Sequence, residues 1–200
     1  TNLMSRERRL GRRGREPAGE RRPRRERRER RGGGRDASAW HRYRLQQRLV
    51  SIGDDFSVED ERGDRVFVID GKALRLRDTL QVTDLRSNDR YRVKERVLRV
   101  KDTMTIERNG RRAATVKKAL VAPLRDRFTV QVAGGPNLKI QGNVLDHEYR
   151  FDRDGTTVAR VSKKWFRVRD TYGVEVAPGM DEGLILTAAV VVDVMAHPTR

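Results

Sequence analysis

Two hundred residues carry 46 Lys and Arg against 29 Asp and Glu, for a net charge of +17 and a pI near 11.2. That length holds one domain of ordinary size plus a tail, and the charge implies attraction to polyanions: nucleic acid, anionic lipid head groups or acidic proteins. The chain has no cysteine, which excludes a disulfide scaffold, a zinc–thiolate site, a thiol nucleophile and S-acyl anchoring.

His41, His147 and His197 are far apart in sequence, so no local His-based metal motif is visible, and no metal or other cofactor is expected. No apolar stretch reaches the length of a membrane span, and the first ten residues lack the apolar run of a secretory leader. The expected setting is cytoplasmic, at most peripheral at a membrane.

Residues 1–39 hold 15 Arg and 6 acidic residues, with Leu3, Met4 and Leu10 the only large apolar side chains. Arg21, Arg22, Arg24, Arg25, Arg27, Arg28, Arg30 and Arg31 form a low-complexity run before Gly32-Gly33-Gly34. Such a segment buries too little apolar surface to offset its ordering entropy, so a disordered basic tail with a glycine hinge is expected. The tail can still bind polyanions through its arginines.

From Trp40 to the C-terminus the texture is that of one all-β domain. Short alternating runs such as Phe56-Ser57-Val58, Arg65–Ile69, Leu80-Gln81-Val82 and Phe128–Val132 read as strands. Glu61-Arg62-Gly63-Asp64, Asn109-Gly110, Gly134-Gly135-Pro136-Asn137 and Arg153-Asp154-Gly155 read as turns between them.

The most informative feature is internal repetition. Lys72–Val82, Arg96–Ile106 and Lys164–Val174 share the order cation, any, apolar, Arg, apolar, cation, Asp, Thr, apolar, any, Val or Ile. With looser copies, the turn-position aspartates fall at 54, 78, 102, 126, 146 and 170. Each period accommodates about two strands, so six periods predict about twelve. The repeated Asp is a turn residue whose side chain bonds the backbone two residues on, not a ring of catalytic acids.

Strand parity places Leu74, Leu76, Leu98, Val100, Phe166 and Val168 inward, and Arg75, Arg77, Arg99, Lys101, Arg167 and Arg169 outward. Lys117, Lys118 and Lys163 join these as candidate contacts to lipid phosphate. A solvated face balanced by nearby acids is the plainer reading of the same pattern.

The apolar segment Leu184–Ala196 is too short to cross a bilayer. Asp181 is a plausible N-cap, Glu182 suits a first helical turn and Pro198 would stop a helix, yet the Val run suits a strand equally well. A helix apolar on all sides belongs in an interior, and a twelve-stranded barrel has room for one.

Enzyme motifs are absent: there is no Gly-x-Ser-x-Gly elbow, no Walker loop and no His-Glu-x-x-His. Asp146-His147-Glu148 is the only cluster with acid, base and ligand chemistry together. In a strand His147 would point away from both neighbours, so it reads as a histidine of a turn and strand edge.

The order of Phe56–Asp60, Gly71-Lys72, Tyr149-Arg150-Phe151, Val161–Phe166, Asp170–Val174 and Leu184–Asp193 resembles the LURP-one-related family, over about residues 41–197. That family groups with the tubby C-terminal and phospholipid scramblase domains. The resemblance implies a twelve-stranded β-barrel enclosing a C-terminal hydrophobic helix, and so settles the helix-or-strand question. Tubby-like domains bind phosphoinositides and scramblases act at membranes, so the resemblance also implies a non-catalytic module at anionic lipid. The chain lacks the cysteine-rich acylation stretch of the scramblases, and transbilayer lipid movement is not expected. The alternatives are a nucleic-acid-associated protein gripping phosphates through the tail, with Trp40 and Tyr43 as stacking aromatics, and a structural barrel whose protein partners the sequence does not reveal.

Overall fold

The computed structural model describes residues 39–46, 56–70, 79–95, 103–119, 127–165 and 171–197. Twelve strands precede one helix: β1 (His41–Gln46), β2 (Phe56–Asp60), β3 (Arg65–Asp70), β4 (Thr79–Asp84), β5 (Arg90–Glu95), β6 (Thr103–Arg108), β7 (Arg111–Ala119), β8 (Arg127–Val132), β9 (Leu138–Asn143), β10 (Glu148–Arg153), β11 (Thr156–Ser162), β12 (Thr171–Val176) and α1 (Glu182–Ala196). Each strand pairs antiparallel with its sequence neighbours, and β1 closes on β12 from His41↔Val176 to Gln46↔Thr171. The sheet therefore has no free edge.

The six-period repeat maps directly onto this meander. Each turn-position Asp stands one or two residues before an even-numbered strand, β2 through β12. Asp146 is the described member of the set: its backbone N–H donates to Asn143 Oδ1, and its carboxylate accepts from the Asn143 amide. Asp54, Asp78, Asp102, Asp126 and Asp170 lie outside the described residues, as do the six expected inward side chains from Leu74 to Val168 and the arginine tail.

All four predicted turns lie between consecutive strands. Asn109-Gly110 and Asp154-Gly155 both take positive φ at their two residues, the two-residue hairpin geometry that matches strand twist. These hairpins, with Arg62-Gly63, Leu85–Asp89 and Ala133–Asn137, lie at one end of the barrel. The Val144–His147 connection between β9 and β10 lies at the other, the connector end.

The helix fills the interior. Gly183 to Asp193 are all buried, and inward rows such as Val58, Phe67, Ile69, Ile106, Val116, Val130, Ile140, Phe151 and Val174 surround it. Burying such an aliphatic or aromatic side chain is worth roughly 1.5–3 kcal/mol. Asp181 is the N-cap, accepting from the Leu184 N–H at 3.0 Å, and Glu182 sits in the first turn. The helix starts at the hairpin end and runs to the connector end, ending at Ala196 with His197 as its C-cap.

Candidate functional site

Of the nine barrel cations expected to meet phosphate, Lys117, Lys118 and Lys163 are described; Arg75, Arg77, Arg99, Lys101, Arg167 and Arg169 lie outside the described residues, with Arg21 to Arg31 of the tail. Lys117 is exposed on the outer face of β7. Lys118 departs from the outward orientation expected of it. It continues the inward row of Ala114 and Val116 at the end of β7, and its ammonium lies 5.8 Å from the Phe128 ring centroid. Lys163 sits in the bend after β11, where its backbone N–H donates to Glu148 Oε1 at 3.1 Å.

The register shows where outward cations are balanced. Arg42 on β1 faces Glu175 on β12 and ion-pairs with it. Arg44 faces and pairs with Glu59 on β2. Lys94 on β5 reaches Glu107 on β6 at 3.0 Å, and Arg150 holds Asp152 within β10 at 2.9 Å. Here the plainer reading of a balanced, solvated face holds.

Strands β7, β8 and β9 are different. They carry Arg111, Arg112, Lys117, Lys118, Arg127 and Lys139 and not one carboxylate. Lys117 and Lys139 flank Thr129 in one cross-strand row. Two strand spacings put them about 10 Å apart on the same face. Arg127 lies two residues from Thr129 on that face and is exposed. The row stops at Asp152 on β10, whose carboxylate is taken by Arg150 and the Thr157 hydroxyl. Lys117, Arg127 and Lys139 form no ion pair among the described residues. Sequence reading missed Arg127 and Lys139, although the signal was present as three consecutive strand segments free of Asp and Glu.

The aromatics proposed to stack on bases are engaged otherwise. Tyr43 is buried and its hydroxyl donates to Glu182; Trp40 is covered by the Arg160 guanidinium at 4.8 Å.

All four tyrosines of the chain gather at the two ends of α1. At the hairpin end Glu182 accepts from Tyr43 and pairs with His41, while Arg86 bridges Glu182 at 3.5 Å and Asp60 at 3.3 Å. Arg108 pairs with the capping Asp181 and covers the Tyr91 ring at 4.9 Å. Burial, then the Glu182 bond and charge, pushes the Tyr43 hydroxyl well above its usual range. Burial, then Asp181, does the same to Tyr91.

The connector end is drier. Asp146, His147 and Glu148 do not converge: Asp146 turns to Asn143, Glu148 to the Ser162 hydroxyl and Lys163, and His147 points inward. His147 takes φ 52° in the turn before β10 and is 1% exposed. Its Nε2 lies 2.7 Å from Asp193 Oδ1, and His197 Nδ1 lies 3.0 Å from that same oxygen. The two imidazoles stack with centroids 5.3 Å apart, and Tyr172 packs on His147 at 4.5 Å. Tyr149 and Tyr172 are buried, their hydroxyls unpartnered among the described residues; burial first and the Asp193 charge second push both well above the usual tyrosine range. Histidines fifty positions apart thus meet in space, which their sequence separation concealed.

The sequence profile of the LURP-one-related family matches residues 41–193, from the first strand to Asp193 itself. The chain belongs to the LURP-one-related family. The uncharacterized protein YxjI of Bacillus subtilis (strain 168) is 23% identical over 153 residues, covering 76% of this chain and 92% of that protein. A protein of Arabidopsis thaliana solved by X-ray crystallography superposes with a TM-score of 0.59 at 17% identity, over 80% of this chain and 94% of the other, which shows a shared fold. Among the described residues no helix is long and apolar enough to cross a membrane.

Proposed function

We propose that this LURP-one-related barrel is a non-catalytic module that docks peripherally on anionic phospholipid, phosphoinositide-like head groups included, at the cytoplasmic face of a membrane. The observation that supports this reading is the β7–β9 face, where Lys117, Arg127 and Lys139 stand exposed with no carboxylate on the same strands. Lysine and arginine each gain about 1 kcal/mol beside an anionic leaflet. Arginine can add a two-bonded grip on a phosphate. The arginine tail adds attraction that salt screens.

The test is co-sedimentation of the full chain with liposomes of graded anionic content at two salt concentrations. Reversing Lys117, Arg127 and Lys139 to Glu weakens binding by at least about 100-fold, from the loss of three cations at about 1 kcal/mol each. Unchanged binding that vanishes at moderate salt assigns the attraction to the tail and sinks the barrel site.

A further inference from the structure

We infer that the connector end of the barrel is a transition-metal site of the zinc class, with His147 Nε2, Asp193 Oδ1 and His197 Nδ1 as its protein ligands. The three donor atoms all lie within 4.8 Å of one another. Both nitrogens already touch one carboxylate oxygen, at 2.7 and 3.0 Å. A four-coordinate zinc with bonds of about 2.0–2.1 Å needs its ligands about 3.3 Å apart, so these two contacts need to open by well under an ångström. Two imidazoles and a carboxylate suit zinc and its first-row neighbours rather than calcium or magnesium.

Three features of the site call for a cation. Asp193 is 4% exposed, and among the described residues its only ionic partners are the two histidines. It stands in the last turn of α1, which has no basic residue. A helix C-terminus repels a carboxylate, and the dry interior strengthens that cost.

The second feature is the His197 ring. Its Nε2 lies 3.3 Å from the Leu145 carbonyl, which can only accept. Its Nδ1 faces the Asp193 carboxylate at 3.0 Å and the Asp193 carbonyl at 3.2 Å, two acceptors that a cation would satisfy as a proton does; with the hydrogen on Nε2, bonded to Leu145, Nδ1 has a lone pair for a metal, the outer-sphere arrangement that orients an imidazole. His147 has no acceptor for its Nδ1 among the described residues and is the weaker ligand.

The third feature is access. The His197 side chain is 41% exposed, so an ion and a fourth, water ligand have a route from solvent. The Tyr149 and Tyr172 hydroxyls, unpartnered among the described residues, sense the Asp193 charge and belong to the same buried polar group.

The experiment uses the full chain stripped by a chelator, titrated calorimetrically with zinc chloride and followed separately with cobalt(II) in the visible. The wild type and His41→Ala bind one zinc per chain, and the cobalt form shows the intense absorption of a four-coordinate site. His197→Ala, a substitution at the solvent side that leaves the barrel folded by circular dichroism, loses at least 100-fold in affinity. Asp193→Asn loses as much. No binding by the wild type would assign the gap between His197 and Asp193 to a shared proton and overturn the site. Binding unchanged in His197→Ala, or lost in His41→Ala, would overturn it equally.

Discussion

The two ends of α1 solve the same problem in opposite ways. Each presents one carboxylate to histidine, Glu182 to His41 and Asp193 to His147 and His197, with two tyrosines close by. At the hairpin end Glu182 is partly exposed, and Arg86 and Arg108 join the network, so the charges are matched several times over within reach of water. At the connector end Asp193 is nearly sealed, and neither Arg nor Lys reaches it among the described residues. The difference follows from the helix dipole. An acid at the N-terminus is welcome and needs only trimming by arginine, whereas an acid at the C-terminus of a buried helix needs a specific cation or proton. The first arrangement tolerates change; the second concentrates its energy in one oxygen atom.

The largest effect that would break this contrast is at that oxygen. In metal-free buffer at neutral pH, Asp193→Ala should cost about 3 kcal/mol, because it removes the partner of the buried His147 ring. Glu182→Ala should cost about 1 kcal/mol, because water and Arg86 compensate. Urea unfolding of both variants checks this; equal losses would mean that burial does not separate the two ends.

Next in size is Gly183. A methyl there would run into the Tyr91 hydroxyl, so Gly183→Ala should destabilise by about 2 kcal/mol despite the better helix propensity of alanine. A stabilised variant would show that Tyr91 swings aside freely and that the hairpin end is looser than its ion pairs suggest.

The smallest effect at neutral pH, and the sharpest comparison, concerns the tyrosines. Their folded values all lie above the ordinary 10.0. Their contribution is therefore fully present below about pH 10, where both states keep the proton, and is lost as pH rises further, because the unfolded chain ionises first. Unfolding at alkaline pH should release protons, and tyrosinate absorbance should appear together with the loss of structure. Tyr172→Phe should shift neutral stability by less than about 1 kcal/mol, since its hydroxyl has no partner among the described residues, and should blunt the alkaline loss. Tyr43→Phe gives up its bond to Glu182 and should cost about 1 kcal/mol at neutral pH. Tyrosinate forming in the intact fold would count against both.

Much of the barrel was legible because its information is local and periodic. The aspartate repeat marks the start of every even strand, and the Asn-Gly and Asp-Gly pairs locate two hairpins by their need for positive φ. The inward placement of Lys118 was also legible: Val116 is an inward residue, and alternation carries Lys118 to the same side. Taking the adjacent Lys117 and Lys118 both as outward ignored that alternation. Ion pairs such as Arg42 with Glu175 were not legible, since they depend on β1 closing against β12 across 133 positions.

What the sequence alone determined was the number of strands, the places where the chain turns, the N-cap at Asp181 and, through the family motifs, the enclosed helix. Only the tertiary structure decided which charges meet. It matched Arg42, Arg44, Lys94 and Arg150 with acids and left Lys117, Arg127 and Lys139 without an ion pair among the described residues, because strand register sets which side chains share a row. It also brought His147, Asp193 and His197 to one point, because α1 crosses the barrel and delivers the end of the chain to a turn laid down fifty residues earlier. Periodicity records which face a residue takes, but the distance between two residues on different elements exists only once the barrel has closed around its helix.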